Sequence, residues 1–358
     1  MVILTLRGFA VISVLSLLIP AAALLGAQHP GTGSVPQLGR GGPVLLANGS
    51  GGPPKNWSLL TPGPLPGARA EDVMAFDPAD GYFVMFGGHN RVSLLGDTWK
   101  FTPAGKWVKL HPSPSPQPRR GGGMTYDAAD GYLVMFGGSN NTAYLNDTWK
   151  FQGGKWTQLF PVSSPPARRV PGMAYDAGNS RVVMFAGHGG SLVPPTYFHF
   201  YNDTWTFHAG AWTQLTSPVA PSPRGEPMVA YDALDQYVLL FGGYASRPTY
   251  GDTWTLRGSV WTNITTNLTV APPSRDGGSF AYDPNGSGIV LFGGHHRNHV
   301  YNDTWWFHAG RWSQVLAAPS PVAVDAAPLA WDAGAGYGVL FGGRWSHGWL
   351  NTTWALRP

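Results

Sequence analysis

An apolar run ending in Phe and a glycine pair, or its near copy, recurs six times between Phe86 and Phe341: YFVMFGG, YLVMFGG, RVVMFAG, YVLLFGG, GIVLFGG and YGVLFGG. The anchoring residues Phe86, Phe136, Phe185, Phe241, Phe292 and Phe341 are spaced by about 50 residues, the length of one four-stranded propeller blade. An Asp-Thr-Trp triplet begins eleven residues after the phenylalanine at Asp97, Asp147, Asp252 and Asp303. It is delayed to Asp203 in the third copy, and Thr352 replaces the aspartate in the sixth. Five copies then reach a second tryptophan segment around Trp107, Trp156, Trp212, Trp261 and Trp312. The sixth copy lacks one, but KNWSLL places Trp57 one period before Trp107. The spacing predicts an all-β, six-bladed β-propeller in which residues 55–61 complete the blade of 321–358. Closure of this kind removes the unpaired edges of a first and a last blade.

The glycine doublet after the second strand, the Asp-Thr-Trp opening the third and the tryptophan of the fourth resemble the kelch pattern across residues 55–358. That resemblance implies a kelch-type propeller and leaves function open, because such propellers host binding and catalysis alike. It also implies rivals to binding. Some kelch propellers are copper oxidases that need a cysteine cross-linked to tyrosine, which a chain without cysteine cannot make. A six-bladed relative is a sialic-acid mutarotase, but none of its catalytic residues can be matched here.

The first 27 residues are of another kind: Arg7 followed by an apolar stretch from Gly8 to Ala27. They predict an apolar helix serving as a signal peptide or a membrane anchor. Residues 28–54, rich in Gly, Pro and Ser, read as a linker. The positive-inside rule then puts the propeller outside the cytoplasm, secreted or held at the cell surface. The absence of cysteine excludes disulfides and thiolate sites, and a formal charge of +4 spread over 358 residues argues against a nucleic-acid partner.

A residue demanded by the fold recurs in every copy, whereas one demanded by a ligand need not. Seventeen residues before the phenylalanine stand Arg69, Arg119, Arg168, Arg224 and Arg275, with Val324 in the sixth copy. These arginines either ring the mouth of the channel or bridge groups of the adjacent blade. The next column does not repeat: Ala70, Arg120, Arg169, Gly225, Asp276 and Asp325. In a six-membered ring the two arginines face the two aspartates across the axis, giving the mouth a positive and a negative side. One residue further lie the only two glutamates of the chain, Glu71 and Glu226, on opposed blades and candidates for acid and base roles.

The segments after the glycine pairs add His89, His295, His296, Arg344, Trp345, His347 and Trp349 as candidate ligand-binding residues. Two tryptophans beside Arg344 and His347 suit stacking on a sugar or grasping a peptide side chain. No pair of these histidines has a spacing that fixes metal geometry, and neither a metal nor a cofactor is expected. Blade three inserts seven residues, and its Tyr197, Phe198, His199 and Phe200 form an aromatic flap. The leading expectation is an exported interaction module whose loop face binds a glycan or an extracellular protein or peptide. The alternatives are a carbohydrate-active enzyme of mutarotase or epimerase type using the channel carboxylates, and an architectural cell-envelope protein.

Overall fold

A computed structural model describes residues 52–61, 63–194 and 197–358. The apolar leader expected at 1–27 and nearly all of the linker expected at 28–54 lie outside the described residues. Among the described residues no helix is long and apolar enough to cross a membrane.

Six four-stranded antiparallel sheets form the blades. The first runs Val73–Asp77, Tyr82–Phe86, Thr98–Phe101 and Trp107–Leu110 from axis to rim. The sixth runs Leu329–Asp332, Tyr337–Phe341 and Thr353–Arg357, and its outer strand is Asn56–Leu60, with Trp57 opposite Leu356. The closure predicted from the displaced tryptophan is therefore present. Each inner strand packs on the inner strand of the next blade, and Leu329–Asp332 packs on Val73–Asp77, so the ring is complete.

The second strands are apolar at successive residues because blades lie against both of their faces. Val84, Val134, Val183, Leu239, Val290 and Phe341 are all fully buried. Between blades the second tryptophan serves as the connector. The ring of Trp156 meets Phe86 of the preceding blade at 5.3 Å, and its indole N–H donates to Thr98 Oγ1 of that blade at 3.0 Å. The same double contact recurs at every interface, including Trp57 on Phe292 and Thr304. Thus the threonine of each Asp-Thr-Trp triplet repeats because the next blade binds it.

Each Phe-anchored strand ends where backbone from the next blade comes close. At Gly87, with φ +71°, a Cβ would lie 2.6 Å from the carbonyl oxygen of Arg119. Glycine meets both demands without strain, and in blade three Ala186 takes the same left-handed backbone at φ +60°.

Candidate functional site

The column of repeated arginines does not ring the mouth. Arg69, Arg119, Arg168, Arg224 and Arg275 are at most 2% exposed, and each pairs within its own blade. The guanidinium of Arg119 donates two hydrogen bonds to Asp147, at 2.6 and 2.7 Å, and a third to the Gly137 carbonyl at 3.0 Å. Trp149 donates its indole N–H to the same aspartate at 2.7 Å. The repeated aspartate is thus the acceptor of a buried, bidentate ion pair, and Arg119 holds the Asp147 carboxylate below its ordinary pKa although burial opposes this. In blade six both members are exchanged together, for Val324 and Thr352.

In blades one to five this buried pair anchors the start of the inner strand, and in all six blades the next residue forms a short backbone bridge with the residue after the glycine pair. The bridges join Ala70 to His89, Arg120 to Ser139, Arg169 to His188, Gly225 to Tyr244, Asp276 to His295 and Asp325 to Arg344. They place both non-repeating columns of the sequence around one opening. The following residues, Glu71, Gly121, Val170, Glu226, Gly277 and Ala326, all have left-handed backbones, with φ between +50° and +63°. Their amides link blade to blade: Gly121 donates to Glu71, Val170 to Gly121, Glu226 to Val170, Ala326 to Gly277 and Glu71 to Ala326. Below this girdle is a cavity of about 220 Å³, lined by both glutamates, Asp72 and the start of every inner strand.

The charges are arranged in two clusters rather than as bare arginines opposite bare aspartates. Glu71 gathers basic side chains from three blades: His89 Nε2 at 3.5 Å, Arg169 Nε at 3.6 Å and Arg120 Nη1 at 3.9 Å. Burial works against its ionisation, yet His89, Arg169 and Arg120 together push its pKa down. On the other side His295 Nδ1 stands 2.9 Å from Asp276 and 3.1 Å from Asp325, and Arg344 grips both oxygens of Asp325. Burial opposes a charged His295, but the two aspartates outweigh it and raise its proton affinity. Glu226 has the opposite fate from Glu71: burial, then Asp276 and Glu71, push its pKa up.

The structure therefore brings together Glu71, His89, Arg120, Arg169, Glu226, Asp276, His295, Asp325 and Arg344. Trp349 borders them, edge-on to His89 with ring centroids 5.6 Å apart. The remaining three predicted residues make other contacts. Trp345 packs on His347 at 4.6 Å, and His296 Nδ1 meets Ser274 Oγ at 3.1 Å. Trp345 and Trp349 sit in a two-residue hairpin and are half-buried rather than free in an exposed loop.

Two further groups belong to the opening. His188, 3% exposed, lies 3.3 Å from the hydroxyl of Tyr244 and edge-on to Tyr144. Burial, reinforced by Arg169, lowers its pKa to about 4, so it stays neutral at pH 7. Phe200 of the blade-three insertion packs on both His188 and Tyr244, while Tyr197 and Phe198 are exposed. Asp72, 6% exposed, lines the cavity with neither carboxylate oxygen hydrogen-bonded. Its counterparts are Gly122, Pro171, Pro227, Gly278 and Ala327, so it is the single charged residue of its column, a signal present in the sequence.

Comparison with known proteins agrees with this architecture. The family model described as the KLHDC2/KLHL20/DRC7 Kelch-repeats domain matches residues 54–243, more than half of the chain. No curated protein matches the chain significantly.

Proposed function

Because this chain belongs to the kelch-repeat β-propeller family, we propose that it is an exported interaction module that captures a polar segment of a protein or peptide at the axial mouth. The observation that carries this reading is the division of charge around the opening. Two arginines against Glu71 leave one formal positive charge beside blades one to three. On the other side Asp276 and Asp325 face His295 and Arg344, and Glu226, whose pKa is pushed up, adds a carboxyl group with no guanidinium gripping it. A dipolar ligand is oriented by such a field. Arg120 and Arg344, with side chains 35% and 44% exposed, are the groups most able to reach it. Export rests on the apolar leader and Arg7.

A glycan ligand is the second reading, favoured by the half-buried Trp345 beside His347 and by the two glutamates that line one cavity. Under it, Glu71 and Glu226 extend binding to mutarotase-type chemistry. Peptide and glycan arrays probed with the purified protein separate the two. The peptide reading expects hits that weaken at least tenfold in Arg120→Gln and Arg169→Gln. The glycan reading expects sugar hits lost in Trp345→Ala, with any turnover abolished in Glu71→Gln. An array without hits of either class sinks both.

A further inference from the structure

We propose that Glu226, Asp276 and His295 form a binding site for a first-row divalent metal cation at the mouth of the channel. The three side chains come from two neighbouring blades, and one donor atom from each lies within 4.8 Å of the others. His295 Nδ1 and Asp276 Oδ1 are 2.9 Å apart. Ligands each about 2.1 Å from a common cation are separated by roughly 3 Å at a right angle and roughly 3.4 Å in a tetrahedron, so a shift of a few tenths of an ångström admits the ion. Despite that approach the two atoms are not aligned as donor and acceptor, and neither has another hydrogen-bond partner. Asp276 is only 2% exposed, so its unpartnered oxygen has no alternative supply of donors from bulk water. Glu226 Oε2 is likewise buried and unpartnered.

The backbone makes room for this arrangement. A Cβ on Gly277 would lie 2.8 Å from Glu226 Oε2, so glycine at that point of the girdle leaves the carboxylate its place. Charge balance then selects the ion. Asp325 is neutralised by the two-pronged grip of Arg344. What remains is two carboxylates and an imidazole, and a divalent cation that takes the place of the proton His295 holds between the aspartates neutralises both carboxylates. One nitrogen and two oxygen donors suit zinc or manganese better than magnesium or calcium, whose sites are built of oxygen alone. Three protein ligands leave a position for solvent or for a ligand group. The inference does not depend on which ligand the mouth takes.

Isothermal titration of the EDTA-stripped full-length protein with zinc chloride tests the site. One equivalent is expected, weakened at least tenfold in Asp276→Asn and in His295→Gln and unchanged in His111→Gln, whose side chain lies outside the mouth. A wild type that binds no zinc overturns the proposal and leaves His295 as a counter-ion of two aspartates. Undiminished binding by the Asp276 and His295 variants overturns it equally, by placing the metal elsewhere. Should those variants not fold, cobalt-loaded wild type decides through proton NMR. A single histidine ligand bound through Nδ1 gives one hyperfine-shifted exchangeable imidazole N–H; none, or more than one, refutes the assignment.

Discussion

Arg119 and Asp147 show how a repeated residue is explained by its partner rather than by its own chemistry. The column of five arginines can be read as a ligand-capturing ring, but its fivefold repetition already favours scaffold. The decisive sign is in blade six, where Val324 and Thr352 replace both members at once, seventeen residues before and eleven after the same Phe341. That joint exchange was legible; that the pairing lies inside one blade and buries the charge was not, because it depends on how the chain turns at the glycine pair. The energetic consequence is testable. Arg119→Val leaves the Asp147 carboxylate without its counter-charge and is expected to cost about 3 kcal/mol in denaturant melts. Adding Asp147→Thr, which copies blade six, should recover more than about 1 kcal/mol of the summed single costs; strict additivity would show that the pair is not the unit of design. Asp72 offers a second test. Burial, only partly opposed by Arg69, raises its pKa from 3.8 to about 7. Between those values the unfolded chain loses this proton while the native state keeps it, so the contribution of Asp72 to stability falls as pH rises from about 4 to 7 and is level beyond. About three pKa units correspond to roughly 4 kcal/mol as an upper bound. Asp72→Asn should therefore melt higher than wild type at pH 7 and close to it at pH 4. Equal gains at both pH values would locate its effect in packing instead.

At the scale of the element, the entry to the inner strand is the least regular part of each blade in sequence and among the most regular in backbone. Glu71, Gly121, Val170, Glu226, Gly277 and Ala326 share one conformation although only two of them are glycine. The β-branched Val170 at φ +50° is the most strained of the set. Its replacement by glycine, the residue blades two and five already use, should raise stability by about 1 kcal/mol, the relief of strain exceeding the entropy that glycine adds to the unfolded chain. The reverse change in the neighbouring blade should be unfavourable, since a Cβ on Gly121 would lie 2.5 Å from Arg169 Cγ. Thermal melts of Val170→Gly and Gly121→Ala moving in the same direction would contradict this reading. The same element explains how much of the site could be read in advance. Departures from the repeat marked both columns at the mouth, and the structure does assemble nine of those residues. The partners within the cluster were out of reach, because Glu71 meets Arg120 and Arg169 from the next two blades, contacts set by the curvature of the ring. Opposed positions in a six-membered ring predicted a polarity across the axis, whereas each side is largely neutralised by its own neighbours.

For the whole molecule the question is whether the ring closes with an ordinary interface or with a weak latch. The geometry at the seam is that of every other interface: Trp57 is 2% exposed, its ring lies 4.9 Å from Phe292, and its N–H reaches Thr304 at 3.2 Å. Trp156, inside the continuous chain, is 1% exposed with the corresponding contacts at 5.3 and 3.0 Å. Equal contacts imply equal native-state loss on truncation, so Trp57→Ala and Trp156→Ala should each cost about 3 to 5 kcal/mol. The two differ in what opens. Blade two is held in sequence on both sides, while the strand Asn56–Leu60 joins blade six non-covalently, through its ladder with Thr353–Arg357 and side-chain bonds such as that of Arg357 to Ser58, with Trp57 reaching on to blade five. Loosening it exposes a long unpaired edge on Thr353–Arg357, the kind of surface that pairs with a second chain. The expectation is thus an equal loss of stability in equilibrium melts with unequal solution behaviour: Trp57→Ala should self-associate as concentration rises, and Trp156→Ala should keep the sedimentation of the wild type, both read by analytical ultracentrifugation. A Trp57→Ala cost well below that of Trp156→Ala would show that the seam contributes little and that six blades hold together without it. Equal association of the two variants would show that any opened interface, not the strand edge in particular, drives it.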